Sequence, residues 1–177
     1  DGSFDLEQKS GAASIVWSFE SNGGTCFEIQ QATSSTETEL IAILAASQQS
    51  YSHIITDSKA AYLLLQTKAK PESWLMSLVS KIKQQLLEND VIISHTYAHL
   101  QENEHAIKLA NLSNQTGIST EILWKGNQAA DEWSHAPQAI WPIYRTEDTT
   151  WIIVDKRNIP YRNIKQLTRE LEHARRA

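Results

Sequence analysis

The sequence predicts an α/β protein whose mixed five-stranded sheet, an antiparallel meander followed by parallel strands, is flanked by helices and carries a C-terminal appendage. Three observations carry this. Two β-rich runs, residues 11–19 (GAASIVWSF) and 25–30 (TCFEIQ), are joined by Ser21-Asn22-Gly23-Gly24, a strong hairpin signal. Ile54-Ile55-Thr56 leads into Asp57 and then into a helical pattern over 58–67, the strand, acid, helix order of open α/β sheets, which bind ligands at strand carboxyl ends. Residues 36–49 and 74–88 repeat apolar side chains at helical spacing.

Taken in order, Asp1-Gly2-Ser3 reads as the end of a strand whose apolar body is not in the sequence. The expectation is a chain cut or processed from a longer one, or a strand supplied in some other way. Were Asp1 a free terminus, its amino group, with an ordinary pKa of about 8, would sit beside any acid cluster there. The meander follows, then a helix over 36–49 whose Thr36 and Glu39 form a capping box that sets its start. A short strand over 53–56 precedes the short helix, Pro71 breaks the pattern, and the helix of 74–88 presents Leu75, Leu78, Val79, Ile82 and Leu86 on one side. Residues 91–97 are a β-branched strand that delivers His99 just beyond its end.

The signal weakens over 100–125. Residues 102–112 fit a helix and 113–120 a polar loop, so the stretch reads as a long functional loop or insertion. Residues 127–134 read as a helix capped by Asn127. The expected division is a domain over 1–137 and an extension over 138–177. In the extension, residues 151–154 and 158–161 pair as a small hairpin about Asp155-Lys156-Arg157, and 163–176 form a basic amphipathic helix. That helix either docks on the domain, contacts nucleic acid or links to a following domain.

Composition bounds the function. The net charge of −5 excludes a bulk polyanion binder, so nucleic-acid affinity must come from local clusters or bound metal ions. No apolar run approaches the roughly 20 residues of a membrane-spanning helix, and no secretory leader pattern is present. The single Cys26 forms no internal disulfide, which suits a reducing, intracellular setting.

Four acids stand in separate contexts: Asp1, Glu39, Asp57 and Asp131. Each alone has a bland explanation, Asp57 as a helix cap beside Ser58, Glu39 as the partner of Thr36, Asp131 as a solvated helix residue. Together, at strand ends and on one helix, they fit the oxygen ligands of two divalent ions set for phosphodiester displacement. This requires Glu39 and Asp57 to reach a common ion, and Asp131 to turn toward them rather than to bulk solvent.

These residues resemble the type 1 ribonuclease H family, and more closely the RNase H domains of retroviral and retroelement reverse transcriptases. The resemblance spans 1 to about 137. It rests on Asp1-Gly2-Ser3 with Gly11-Ala12-Ala13, on Thr38-Glu39-Leu40-Ile41-Ala42, on Thr56-Asp57-Ser58, on His95-Thr96-Tyr97-Ala98-His99, and on Gly126-Asn127 through Ala130-Asp131. It implies an RNase H-like fold and an endonuclease that hydrolyses the RNA strand of RNA/DNA hybrids. Asp1, Glu39, Asp57 and Asp131 would bind two Mg2+ ions, with Mn2+ able to substitute, and His99 would assist proton movement or product release. Ser34, Ser35, Thr36 and Ser58 fall where relatives contact substrate, and Asn127 where one touches the RNA. The implied partners are the hybrid and a fused or associated polymerase domain, in the cytoplasm or within a viral or retroelement particle, with no membrane.

Three departures stand beside the resemblance. The first strand is missing. The interval from His99 to Asn127 is long, and Glu102-Asn103-Glu104 offers a second register in which Ile107 takes the fourth acid's place. The basic protrusion of cellular relatives is reduced to Lys68, Lys70, Lys81 and Lys83, which implies weak, salt-sensitive binding by the domain alone. Two other classes stand beside it: a catalytically inactive RNase H-like module with a scaffolding or hybrid-binding role, and an integrase-like or resolvase-like nuclease acting on DNA, against which the Asp1-Gly2-Ser3 and Gly126-Asn127 through Ala130-Asp131 forms argue. A zinc pair from His95 and His99 fails, because a spacing of four ligates from a helix and this segment is β-branched.

Overall fold

The computed structural model describes residues 1–8, 10–18, 21, 23–30, 32–49, 51–66, 73–97, 105–135, 139–141, 143–145 and 150–152. Three strands open the chain as an antiparallel meander: β1 (Gly2–Asp5), β2 (Ser10–Ser18) and β3 (Gly23–Gln30). Gly2 pairs with Ala13 and Ser10 with Gln30, and the ladder slips between Val16 and Ser18. Two glycines allow the meander to lie against the helix that follows, α1 (Ser35–Ser47). A Cβ on Gly2 would stand 2.5 Å from the Glu39 nitrogen, and one on Gly11 2.5 Å from Thr38 Cγ2.

α1 is buried nearly all round because it touches β1, β2, β4 (His53–Thr56), α2 (Lys59–Gln66) and α3 (Ser73–Glu88). Leu40, Ile41 and Leu44 are wholly buried. A helix with such surroundings carries apolar residues on every side rather than in one stripe. It forms one core with Ile29 of β3, Ile54 of β4, and Leu78 and Ile82 of α3. β4 pairs in parallel with β5 (Ile92–His95), His53 opposite Ile92 and Thr56 opposite His95.

The expected single five-stranded sheet is not what forms. β1, β2 and β3 continue into β6 (Ala139–Trp141), parallel to β3, while β4 and β5 make a separate two-stranded sheet. No backbone pairing joins the two sheets among the described residues. The protein is α/β with antiparallel and parallel strands, but the sheet is divided between β2 and β4.

The described part of the weak-signal region is mostly helical: a helix overlaps the one expected over 102–112 and continues into the stretch expected as a polar loop. α4 (Ala106–Thr116) ends at Gly117, whose φ of 73° is the left-handed conformation that closes helices. A helix then runs from Thr120, through a π-helical turn (Ile122–Gly126), directly into α5 (Asn127–Trp133). Asn127 therefore lies inside a helix, with φ −66°, and does not cap one. Only Leu109 and Leu123 of this region are fully buried, forming a small second core with Ile55, Leu112, Ile118 and Trp124. In the extension, β7 (Ile143–Arg145) pairs with β8 (Thr150–Ile152), Trp151 opposite Tyr144, a pairing not among those expected beside the turn at Asp155-Lys156-Arg157. That turn and the basic segment 163–176 lie outside the described residues. No helix among the described residues is long and apolar enough to cross a membrane.

Candidate metal centre

Two local structures release Glu39 and Asp57 from the capping duties that would explain them away. The N-cap of α1 is Ser34, whose Oγ accepts from the Glu37 nitrogen at 3.2 Å, and Glu37 Oε1 in turn accepts from the Thr33 nitrogen at 3.1 Å. Ser34 thus caps the helix while Glu37 reaches back to the residue before the cap, a variant of the capping box set two positions before the expected Thr36 with Glu39. Glu37 is fully buried in this role, and Glu39 is left to face β1. At α2 the cap is Ser58, whose Oγ accepts from the Ala61 nitrogen at 3.2 Å while its own nitrogen donates to Thr56 Oγ1. Asp57, between strand and cap, is left to project from the end of β4.

Gly2 completes the approach. β1 passes so close to α1 that the Gly2 N–H donates to Glu39, and Asp1 arrives beside it. Asp1 is pinned to β2 from both sides, its amino group donating to the Ser14 carbonyl and its carbonyl accepting from the Ser14 nitrogen, each at 2.8 Å. Carboxylate oxygens of Asp1, Glu39 and Asp57 all lie within 4.8 Å of one another, and all three residues are half-buried. Asn127 Nδ2 donates to Asp57 Oδ2 at 3.1 Å.

Burial pushes the Glu39 carboxyl up to about 7, helped by the charges of Asp57 and Asp131 and opposed by the Asp1 ammonium and the Gly2 N–H. An acid driven this far toward its neutral form by its surroundings gains from a nearby cation. An all-oxygen, acid-rich set of this kind could hold a metal ion.

Asp131 is placed differently. It is exposed on α5 and stands outside the group of three, close enough only for its charge to act on Glu39. The expectation of four acids at one point is met by three. Of the residues expected to contact substrate, Ser34 and Ser58 serve as caps, Ser35 is exposed and Thr36 half-buried in the first turn of α1, and Asn127 is engaged with Asp57. His99, Glu104, Lys68 and Lys70 lie outside the described residues, while Ile107 is exposed on α4. His95 packs against the rings of Tyr62 and Tyr97, with centroids 5.8 and 5.6 Å away. Burial pushes the Cys26 thiol up to about 11, away from the thiolate form.

Sequence reasoning missed Ser14. Its wholly buried Oγ donates to the Ala130 carbonyl, tying β2 to α5 one residue before Asp131. The available signal was the single hydroxyl within the apolar run over 11–17 of β2.

A fold with antiparallel and parallel strands and three convergent carboxylates, two beside strand ends and one on a helix, defines an α/β protein with a candidate metal site. No family model matches the chain, and no curated protein matches it.

Proposed function

We propose that the chain is a ribonuclease H-like nuclease that hydrolyses the RNA strand of RNA/DNA hybrids and works beside a reverse-transcriptase polymerase domain. The observation that carries this reading is the meeting of Asp1, Glu39 and Asp57 from three separate elements within 4.8 Å. Together with the resemblance of the motifs around them, it supports an RNase H-like arrangement. Asp1, Glu39 and Asp57 would hold Mg2+, which when bound supplies an activated water and stabilises the leaving oxygen. The chain's own part is positional. Asn127 orients the Asp57 carboxylate, and the Gly2 N–H holds Glu39. Half-burial of the three acids limits competing solvent.

The exposure of Asp131 favours a second reading, an inactive module that keeps hybrid contact or a scaffolding role. The test is cleavage of labelled RNA/DNA hybrid with Mg2+ or Mn2+, beside single-stranded RNA, duplex RNA and duplex DNA. Hybrid-restricted cleavage, lost in Asp57→Asn, supports the nuclease. Hybrid binding without cleavage, with the polymerase partner present as well, supports the inactive module.

A further inference from the structure

The carboxyl end of β5 carries a row of three rings with a lysine at each end. His95, the last residue of β5, packs against Tyr62 of α2, with ring centroids 5.8 Å apart, and against Tyr97 at 5.6 Å. The Lys108 ammonium of α4 stands 5.1 Å over the centre of the Tyr97 ring. At the other end Lys59 opens α2 and is exposed, three positions before Tyr62 and so its neighbour along the helix surface. Tyr97 is 45% exposed and Lys108 is exposed beside it, so ring and cation are both open to a ligand.

Backbone pairing fixes where this row lies. Thr56 stands opposite His95, and the Thr96 nitrogen donates to the Thr56 carbonyl at 2.8 Å. Asp57 follows Thr56 as Tyr97 follows Thr96, and neighbouring strands lie about 5 Å apart. The row therefore begins beside the candidate metal centre. Lys108 is brought there by the residue after it: Leu109 is buried with Leu123 in the small second core, and Ile55 of β4 packs against them.

The chemistry is that of a sugar-phosphate contact. An exposed ring holds an ammonium weakly, enough to aim Lys108 and too little to keep it from a phosphate. Lysine and tyrosine side chains take the phosphates and sugars of nucleic acids, contacts that position a strand without reading its sequence. On a chain of net charge −5, with three carboxylates converging at the centre, a polyanion approaching that centre needs cations placed just outside the acids. We propose that the row from Lys59 to Lys108 seats the substrate strand beside the cleaved bond, with a phosphate on Lys108, its sugar against the Tyr97 ring, and the strand continuing past His95 and Tyr62 toward Lys59. The proposal rests on the nuclease reading for the identity of that strand, part of an RNA/DNA hybrid, and adds the surface that holds it.

The experiment is fluorescence anisotropy of a labelled RNA/DNA hybrid over a range of salt, without divalent ions so that nothing is cut. Lys108→Ala and Lys59→Ala are each expected to weaken binding roughly threefold to tenfold and to lower the slope of log affinity against log salt by about one. Tyr97→Ala weakens binding roughly fivefold and keeps the slope, and Tyr97→Phe binds as the wild type does. Each altered side chain is exposed, so the melting temperature stays at the wild-type value. Lysine and Tyr97→Ala variants with wild-type affinity and slope overturn the inference whatever the cleavage assay shows, and so does a wild type that binds no hybrid. Where the row is needed for binding but the wild type cuts nothing with Mg2+, the row stands and the nuclease reading alone falls.

Discussion

Asn127, in the helix that follows the π-helical turn, donates its side-chain amide to Asp57 at 3.1 Å across 70 positions of sequence. The contact ties the last helix of the domain to the carboxyl end of β4. π-helical turns recur at functional sites because the extra residue re-aims the side chains beyond them. Asn127→Ala is therefore expected to lower divalent-cation affinity roughly tenfold, the size of effect seen when a ligand's orienting partner is removed. Calorimetric titration of Mn2+ against the variant checks this, and a melting curve shows whether the fold is retained.

Glu39 gives the protein a pH dependence of unusual sign. Below pH 4.5 its carboxyl is protonated in folded and unfolded states alike and costs nothing. As pH rises from 4.5 to about 7, the unfolded chain releases a proton that the folded one keeps, so stability falls, and above about 7 the loss is complete. The shift corresponds to about 3 kcal/mol. Metal-free protein should therefore melt lower in urea at pH 8 than at pH 5.5, Glu39→Gln should flatten that difference, and saturating Mg2+ should reduce it.

Gly2 is expected to tolerate no side chain. A methyl group there meets the backbone of Thr38 and Glu39 at 2.5 to 2.6 Å, and neither β1 nor the buried α1 can retreat cheaply. Gly2→Ala should cost about 1–3 kcal/mol, typical of overpacking, and should weaken cation binding in the molecules that remain folded. Equilibrium denaturation and cation titration measure the two effects.

The start of α1 is testable by a pair of substitutions. Ser34→Ala removes the hydroxyl that accepts from Glu37 and should cost about 1 kcal/mol. Thr36→Ala removes no cap and should change stability by less than about 0.5 kcal/mol. Equal losses in chemical denaturation would return the capping box to Thr36 and Glu39.

Much of this was legible from residue patterns. The meander, α1, the β4 to α2 step and α3 all follow from periodicity and turn chemistry, because each buries a regular face. The cap of α1 was misread because Ser34 with Glu37 and Thr36 with Glu39 are equivalent signals in sequence, and burial of Glu37 and Thr38 decides between them. The helices over 106–133 were faint because Leu109 and Leu123 alone go fully inside, too few to show a period. The divided sheet could not be read at all, since alternation along β2 and β4 reveals which face is buried but not which edge is paired. Asp131 was placed with the other acids by its motif. In the structure it is exposed on α5 and stands outside the group of three.

Three carboxylates sharing a cation are tested directly by Mn2+ binding to the intact chain, followed by the paramagnetic signal of the free ion. Saturable binding by the wild type, lost in Asp57→Asn and weakened less in Asp131→Asn, is the predicted result. Binding that survives Asp57→Asn unchanged, or a wild type that takes up no Mn2+, would contradict it.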